Sequence, residues 1–219
     1  MDCHSRREMH GDGTAYASIL ATGAMDTRCG NCHTPLVSNE HHEVHSALLD
    51  CSACHVQGMV TCYNCHFETE LDENRKKSYA QFTDWLFLVN YDGKVHSANF
   101  QNVKYRDHTF LAMAPFLAHT IQKNARTCGD CHEGAPVTEY VETGAIQVTY
   151  WDASANRLTQ VGGVVPVPPD WETSLRFDFV DLDENGNWVF LEAGPDRFQM
   201  LFGEPLTESQ IEKLARLER

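Results

Sequence analysis

A five-residue pattern, Cys-x-x-Cys-His, occurs four times in this chain and constrains its fold more than any other feature. The four copies contain eight of the nine cysteines and four of the twelve histidines: Cys29, Cys32 and His33; Cys51, Cys54 and His55; Cys62, Cys65 and His66; Cys128, Cys131 and His132. The two thiols of such a pattern can form thioethers with the vinyl groups of a c-type haem, and the histidine can bind the iron. The sequence therefore predicts covalently attached haem c at four complete sites.

The first residues, Met1-Asp2-Cys3-His4, repeat the end of the same pattern without its first cysteine. We predict a further haem here, attached through Cys3 and bound by His4. Counting this partial motif as the first, the second, third, fourth and fifth motifs begin at Cys29, Cys51, Cys62 and Cys128. A cysteine directly before Met1 would complete the motif, so we expect the sequence to be a fragment of a longer chain. Attachment through Cys3 alone is the alternative. Residues 1–20 have no apolar core of the length that an export signal requires, so that signal is expected upstream or removed.

Structural zinc is the main alternative to haem. The spacing of Cys29, Cys32, Cys51 and Cys54 fits a zinc ribbon. Zinc, however, does not require a histidine directly after every cysteine pair, and all four pairs here have one. A disulfide framework would leave those histidines unexplained. Haem is the favoured interpretation.

The second axial ligand of each iron decides function, because a second histidine saturates the metal and suits electron transfer. Seven histidines lie outside the motifs: His10, His41, His42, His45, His96, His108 and His119. Five haems need five such ligands, so the supply is sufficient for bis-histidine ligation. The cluster of three at 41–45 is the strongest source of distal ligands, followed by His10 and His119. His96 is a candidate that can equally be a structural histidine of a strand.

The amino-acid composition limits the kinds of partner that we expect this protein to bind. The formal net charge is −14, with 17 basic and 31 acidic residues, so no basic surface for nucleic acid is predicted. No stretch has the length and apolarity of a transmembrane helix. The charge favours solubility and would also attract basic redox partners.

The pattern along the chain predicts two regions. Residues 1–133 form a haem-binding region with a β-rich insertion at about 72–114, and residues 134–219 form a haem-free, β-rich tail with a helix at 207–218. Residues 1–70 have few apolar runs, so the porphyrins are expected to supply their interior. The fold is expected to be mostly irregular, with short helices around stacked haems.

A weaker motif is compatible with calcium. Four oxygen-bearing residues follow the spacing of an EF-hand loop: Asp181, Asp183, Asn185 and Glu192. The flanking segments look like paired strands with a turn at Asn185-Gly186, so a plain hairpin is favoured over a calcium site.

On these motifs, residues 1–132 resemble the periplasmic or extracellular multihaem c-type cytochromes. The resemblance implies a closely spaced chain of mostly bis-histidine haems, electron transfer in respiration, maturation outside the cytoplasm, and redox proteins or other multihaem cytochromes as partners. Two alternatives stay open: an oxidoreductase for a small nitrogen or sulfur oxyanion, and a subunit of a cytochrome filament or larger respiratory complex.

Overall fold

The computed structural model describes residues 4–59, 61–66, 74, 82, 84–105, 108–193 and 198–216. About 32% of the described residues lie in strands and 24% in helices. The prediction of a mostly irregular fold is therefore wrong, and the chain has a mixed α/β fold.

The helices are short, and several begin at residues that the sequence makes good N-caps. They are α1 (Arg6–His10), α2 (Cys29–Cys32), α3 (Glu40–His45), α4 (Cys51–His55), α5 (Cys128–His132), α6 (Ala135–Thr143), α7 (Trp171–Ser174) and α8 (Glu208–Leu214). Three complete Cys-x-x-Cys-His motifs thus coincide with α2, α4 and α5. The C-terminal helix predicted at 207–218 is present as α8 but ends at Leu214, and Thr207 and Gln210 form a capping box at its start. No helix in the described residues is long and apolar enough to cross a membrane.

The strands are β1 (Cys62–His66), β2 (Trp85–Tyr91), β3 (Lys94–Tyr105), β4 (His108–Pro115), β5 (Ile146–Asp152), β6 (Arg157–Gln160), β7 (Gly163–Pro166), β8 (Leu175–Phe177), β9 (Phe179–Leu182), β10 (Trp188–Leu191) and β11 (Phe198–Met200). The main sheet has six of them, in the order β11-β4-β3-β2-β7, with β1 also paired to β3. Strands β5, β6 and β8 form a second sheet, and β9 and β10 form a hairpin.

The main sheet explains why the fold is not irregular. Strands β2, β3 and β4 come from the predicted insertion, β7 and β11 from the predicted tail, and β1 from a Cys-x-x-Cys-His motif. The tail strands pair in parallel with β2 and β4. Segments that look independent in the sequence therefore satisfy their backbone hydrogen bonds in one sheet.

Strand β2 separates two apolar cores, because alternate side chains of a strand point to opposite faces. Trp85, Phe87 and Val89 pack in the larger core, with residues of the tail. Leu86 and Leu88 pack in the smaller core. The smaller core also contains side chains of the motif helices and of α8: Ala53, Val56, Cys131 and Ile211. The sheet is therefore the platform on which α4 and α5 are held.

The fourth motif is a strand rather than a helix, and Tyr63 anchors it in the larger core. The Tyr63 ring stacks on Phe179 at a centroid distance of 5.5 Å and meets Phe100 at 5.6 Å. Its hydroxyl donates to the carbonyl oxygen of Asp178 at 2.6 Å and lies 2.7 Å from Thr149 Oγ1. Burial raises the pKa of Tyr63 well above its usual value.

We expect Tyr63→Phe to lower the free energy of unfolding by about 1–3 kcal/mol, because it leaves the Asp178 carbonyl without this donor. Tyr150→Phe is the matched control, since Tyr150 is exposed on β5. Chemical denaturation followed by far-UV circular dichroism measures both variants. Equal stability of the two would contradict the anchoring role of Tyr63.

Candidate haem-binding site

Three histidines of the motifs lie ring to ring with three histidines from outside them. The pairs join residues that are far apart in sequence, and each combines one predicted proximal ligand with one predicted distal ligand. The pairs are His4 with His119, His42 with His55, and His45 with His132.

The pair of His42 and His55 joins α3 to α4. Their ring centroids are 6.3 Å apart, with an interplanar angle of 42°. His42 Nδ1 is 2.7 Å from the Val37 carbonyl oxygen, and His55 Nδ1 is 2.9 Å from that of Gln122. A carbonyl oxygen only accepts, so each Nδ1 carries the proton. The Nε2 lone pair of both rings is then available to a metal.

The pair of His45 and His132 joins α3 to α5. Their centroids are 6.2 Å apart at 45°. His45 Nδ1 is 3.0 Å from the His41 carbonyl oxygen, and His132 Nδ1 donates to the carbonyl oxygen of Leu214 at 2.8 Å. The end of α8 in the haem-free tail therefore orients a predicted proximal ligand.

The pair of His4 and His119 connects the start of the chain with the loop after β4. Their centroids are 5.9 Å apart at 54°. His4 Nδ1 lies 3.3 Å from Glu8 Oε2. Glu8 also accepts from Thr27, at 2.6 Å from its backbone nitrogen and 2.8 Å from its hydroxyl. These hydrogen bonds, the Thr27 backbone first, lower the pKa of Glu8 to about 2, so a carboxylate holds His4.

The three pairs fit axial ligation of a haem iron. A metal–imidazole bond is about 2.0 Å long and the ligating nitrogen lies about 1.1 Å from the ring centroid, so two imidazoles across one metal have centroids about 6.2 Å apart. The observed separations, 5.9–6.3 Å, match this value. Two histidines alone do not complete a zinc site, which needs four ligands, whereas a porphyrin supplies four further nitrogens.

One short helix, α3, supplies the predicted distal ligands of two of these pairs. Asn39 caps α3 by accepting from the backbone nitrogen of His42 at 2.9 Å. His42 and His45 are three residues apart, so their Cβ atoms lie on the same face about 5–6 Å from each other. The sites at His55 and His132 are therefore immediate neighbours.

The cysteines support the same arrangement. After burial, the nearby Cys29 thiol is the next contribution that raises the pKa of Cys51, and Cys54 contributes in the same way to that of Cys131. Burial raises the pKa of Cys51 to about 11 and that of Cys131 to about 12. No group of three or more His, Cys, Asp or Glu side chains with metal-binding geometry occurs among the described residues.

Other candidate ligands are not brought into pairs within the described part of the chain. His33 is exposed on the loop after α2, and His10 is exposed at the end of α1. His41 lies beside the fifth motif, with Nδ1 3.8 Å from Cys128 Sγ. His96 is buried in β3, between Tyr91 and Asp50, and burial lowers its pKa. His108 begins β4.

Two motifs, the first and the fourth, lie partly outside the described residues. Cys3 is outside them. In the fourth motif the backbone of Cys62–His66 is described, but the side chains of Cys62, Cys65 and His66 are not. The predicted roles of these residues stay predictions.

The calcium motif forms the hairpin that the sequence favoured, with β9 antiparallel to β10. Asp183 accepts backbone hydrogen bonds from Asn185 and Asn187 at 2.9 and 2.8 Å. Asp181 makes an ion pair of 2.9 Å with Lys104. These two carboxylates therefore serve the turn and the sheet.

Sequence reasoning missed the groups that orient the ligating histidines. Two of them, the carbonyl oxygens of Gln122 and Leu214, carry no sequence signal because every residue has a carbonyl group. Glu8 did have a sequence signal, because Ser5-x-x-Glu8 is the pattern of a capping box next to His4. Both hydrogen bonds of this box are present at the start of α1.

Comparison with known proteins finds no matching family model, no similar curated protein and no similar solved structure. The functional argument therefore depends on this chain's own residues.

Proposed function

We propose that this protein transfers electrons through four to five covalently attached c-type haems, most of them bound by two histidines. The observation that carries the proposal is the set of three histidine pairs with ring separations near 6.2 Å. Each pair contains one histidine of a motif, whose cysteines would supply the thioethers.

Each c-type haem supplies a one-electron Fe(III)/Fe(II) couple. The residues of this chain would determine how the iron is coordinated and how the ligating rings are oriented. The paired histidines would hold the iron from both sides, so electron exchange would need no change of ligand. Hydrogen bonds at Nδ1 fix the tautomer and the ring orientation of His42, His45, His55 and His132.

The packing also supports a conductive chain rather than isolated sites. Helix α3 supplies both His42 and His45, so two haems would share one wall. The thiol of Cys29 contributes to the raised pKa of Cys51, and that of Cys54 to the raised pKa of Cys131, as expected where the second and third motifs and the third and fifth motifs are neighbours. Among residues 4–50 no apolar residue is buried, so this segment has no apolar core of its own, as expected where porphyrins provide one.

We further propose that the protein acts in the periplasm or outside the cell, with basic redox proteins or other multihaem cytochromes as partners. Covalent haem attachment of this type takes place outside the cytoplasm in the cytochromes that the motifs resemble. The net charge of −14 would attract a basic partner electrostatically.

The test is to produce the chain in a host that matures c-type cytochromes and to determine its haem content. The mass of the denatured chain and the pyridine haemochrome spectrum should both show at least four covalent haems. Electron paramagnetic resonance of the oxidised protein should show low-spin signals from at least three. A chain that matures without haem, or that binds zinc instead, would overturn the proposal.

A further inference from the structure

The side chain of Arg126 places a positive charge in a largely buried position beside the third motif. It is 11% exposed, and among the described residues its buried Nε atom has no hydrogen-bond partner. A buried donor without a partner costs free energy, and a buried charge costs more unless an opposite charge is paired with it. We propose that Arg126 binds a propionate carboxylate of the haem attached at Cys51 and Cys54. This inference rests on the proposed function.

The loop before the fifth motif holds Arg126 against helix α4. The backbone nitrogen of Arg126 donates to the Cys54 carbonyl oxygen at 3.0 Å, and that of Gln122 donates to the His55 carbonyl oxygen at 2.9 Å. The Gln122 carbonyl oxygen in turn accepts from His55 Nδ1 at 2.9 Å. One loop therefore orients the predicted proximal ligand of the third motif and carries the guanidinium group.

A cavity of about 310 Å³ beside this loop has room for a carboxylate group. Cys54, His55 and Arg126 are among the residues that line it. Among the described residues, the fifth motif contributes only Asp130 to the lining. The lining therefore favours the haem of the third motif, rather than that of the fifth, as the source of the carboxylate.

The acidic residues around Arg126 leave its charge without a close anionic partner in the described part of the chain. Asp84 Oδ1 lies 3.7 Å from Nη2 and its side chain is 65% exposed, whereas charge-assisted hydrogen bonds are about 2.7–2.9 Å long. Asp130 accepts from the backbone nitrogen of Thr127 at 2.7 Å and caps α5. The carbonyl oxygen of Gln57, which also accepts from Nη2, is neutral. A propionate would supply the missing negative charge.

The charge of Arg126 also acts on the attachment cysteines. Burial raises the pKa of Cys54, and the positive charge of Arg126 opposes that rise. Burial likewise raises the pKa of Cys131 to about 12, and Arg126 again acts in the opposite direction. A positive charge this close to a haem favours the ferrous iron, because the ferric iron carries one more positive charge. Loss of Arg126 should therefore lower the reduction potential of the third-motif haem.

The first test follows the reduction potential of that haem alone. His42→Ala is expected to make the third-motif haem high-spin, so electron paramagnetic resonance can follow this haem through a redox titration. In this background, Arg126→Gln should shift the equilibrium about tenfold toward ferric iron, which lowers the potential by about 59 mV. Arg176→Gln is the matched control, because Arg176 is exposed on β8, and it should leave the potential unchanged.

The second test examines the contact itself. Resonance Raman spectroscopy detects the propionate bending mode, which responds to hydrogen bonding of the carboxylate. Arg126→Lys retains the charge but not the fork of donors that matches a carboxylate. It should therefore change this mode, while the potential stays closer to that of the unmodified site than in Arg126→Gln. The lysine variant decides the question if Arg126→Gln fails to mature.

Two outcomes would overturn the inference in a protein with its full haem content. One is a propionate mode that is the same in the unmodified protein and in the Arg126 variants. The other is a shift of potential that Arg126→Gln causes only in the His45→Ala background, where the fifth-motif haem is expected to be high-spin. A protein without haem would instead refute the proposed function itself.

Discussion

Replacing His42 or His45 with alanine is expected to convert one low-spin haem per chain into a high-spin haem that binds carbon monoxide. His42 faces His55 and His45 faces His132, at centroid separations of 6.3 and 6.2 Å. Each substitution would remove one of the two proposed ligands of an iron and leave the motif histidine in place. The double variant should gain two equivalents of carbon monoxide binding, because the two histidines serve different sites.

A matched control lies on the same helix. His41 belongs to α3 but makes no ring contact with a motif histidine among the described residues, and its nearest recorded partner is Cys128 Sγ. His41→Ala should therefore leave the number of low-spin haems unchanged. Optical titration with carbon monoxide and electron paramagnetic resonance compare the three variants. A change of spin state in His41→Ala, with none in His42→Ala, would contradict the proposal and show that His41 is the distal ligand.

The outcome for α3 shows how far the sequence could predict the site. Three histidines in five residues identified this segment as the main source of distal ligands, and Asn39 is an evident N-cap. The partners could not be predicted, because His55 and His132 reach α3 only through the packing of α4 and α5 on the main sheet. The pairing of histidines depends on contacts between residues that are far apart in sequence, and the motif spacing does not indicate those contacts.

The fold was less predictable than the strands within it. Strand β2 (Trp85–Tyr91) lies within the predicted β-rich insertion, and strand β5 (Ile146–Asp152) lies within the predicted β-rich tail. The assembly was not expected, since β7 and β11 cross from the tail to pair in parallel with β2 and β4. Parallel pairing needs no local turn, so the sequence between the strands does not indicate it.

The fourth motif shows a second limit. Its cysteine spacing is identical to that of the others, yet Cys62–His66 pairs with β3 while three motifs are helices. The difference arises from Tyr63, a large aromatic residue where the other motifs have Gly or Ser. Burial of this ring in the larger core favours the extended backbone, an effect that a motif search does not detect.

The aromatic core is the site of the second large effect. Phe100 on β3 is fully buried and contacts four aromatic rings, namely Tyr63, Trp85, Phe87 and Phe177. Truncation of a buried phenylalanine costs the transfer free energy of the ring and leaves a cavity. We therefore expect Phe100→Ala to lower the free energy of unfolding by about 3–5 kcal/mol.

Phe110→Ala is the control, because Phe110 lies on the adjacent strand β4 and is 40% exposed. Its loss is expected to cost less than about 1 kcal/mol. Urea denaturation of the haem-loaded variants, followed by far-UV circular dichroism, gives both values. Because β3 pairs with β1, the Phe100 variant should also loosen the fourth motif before the others. Equal costs for the two variants would mean that bound haem, rather than the aromatic core, stabilises the sheet.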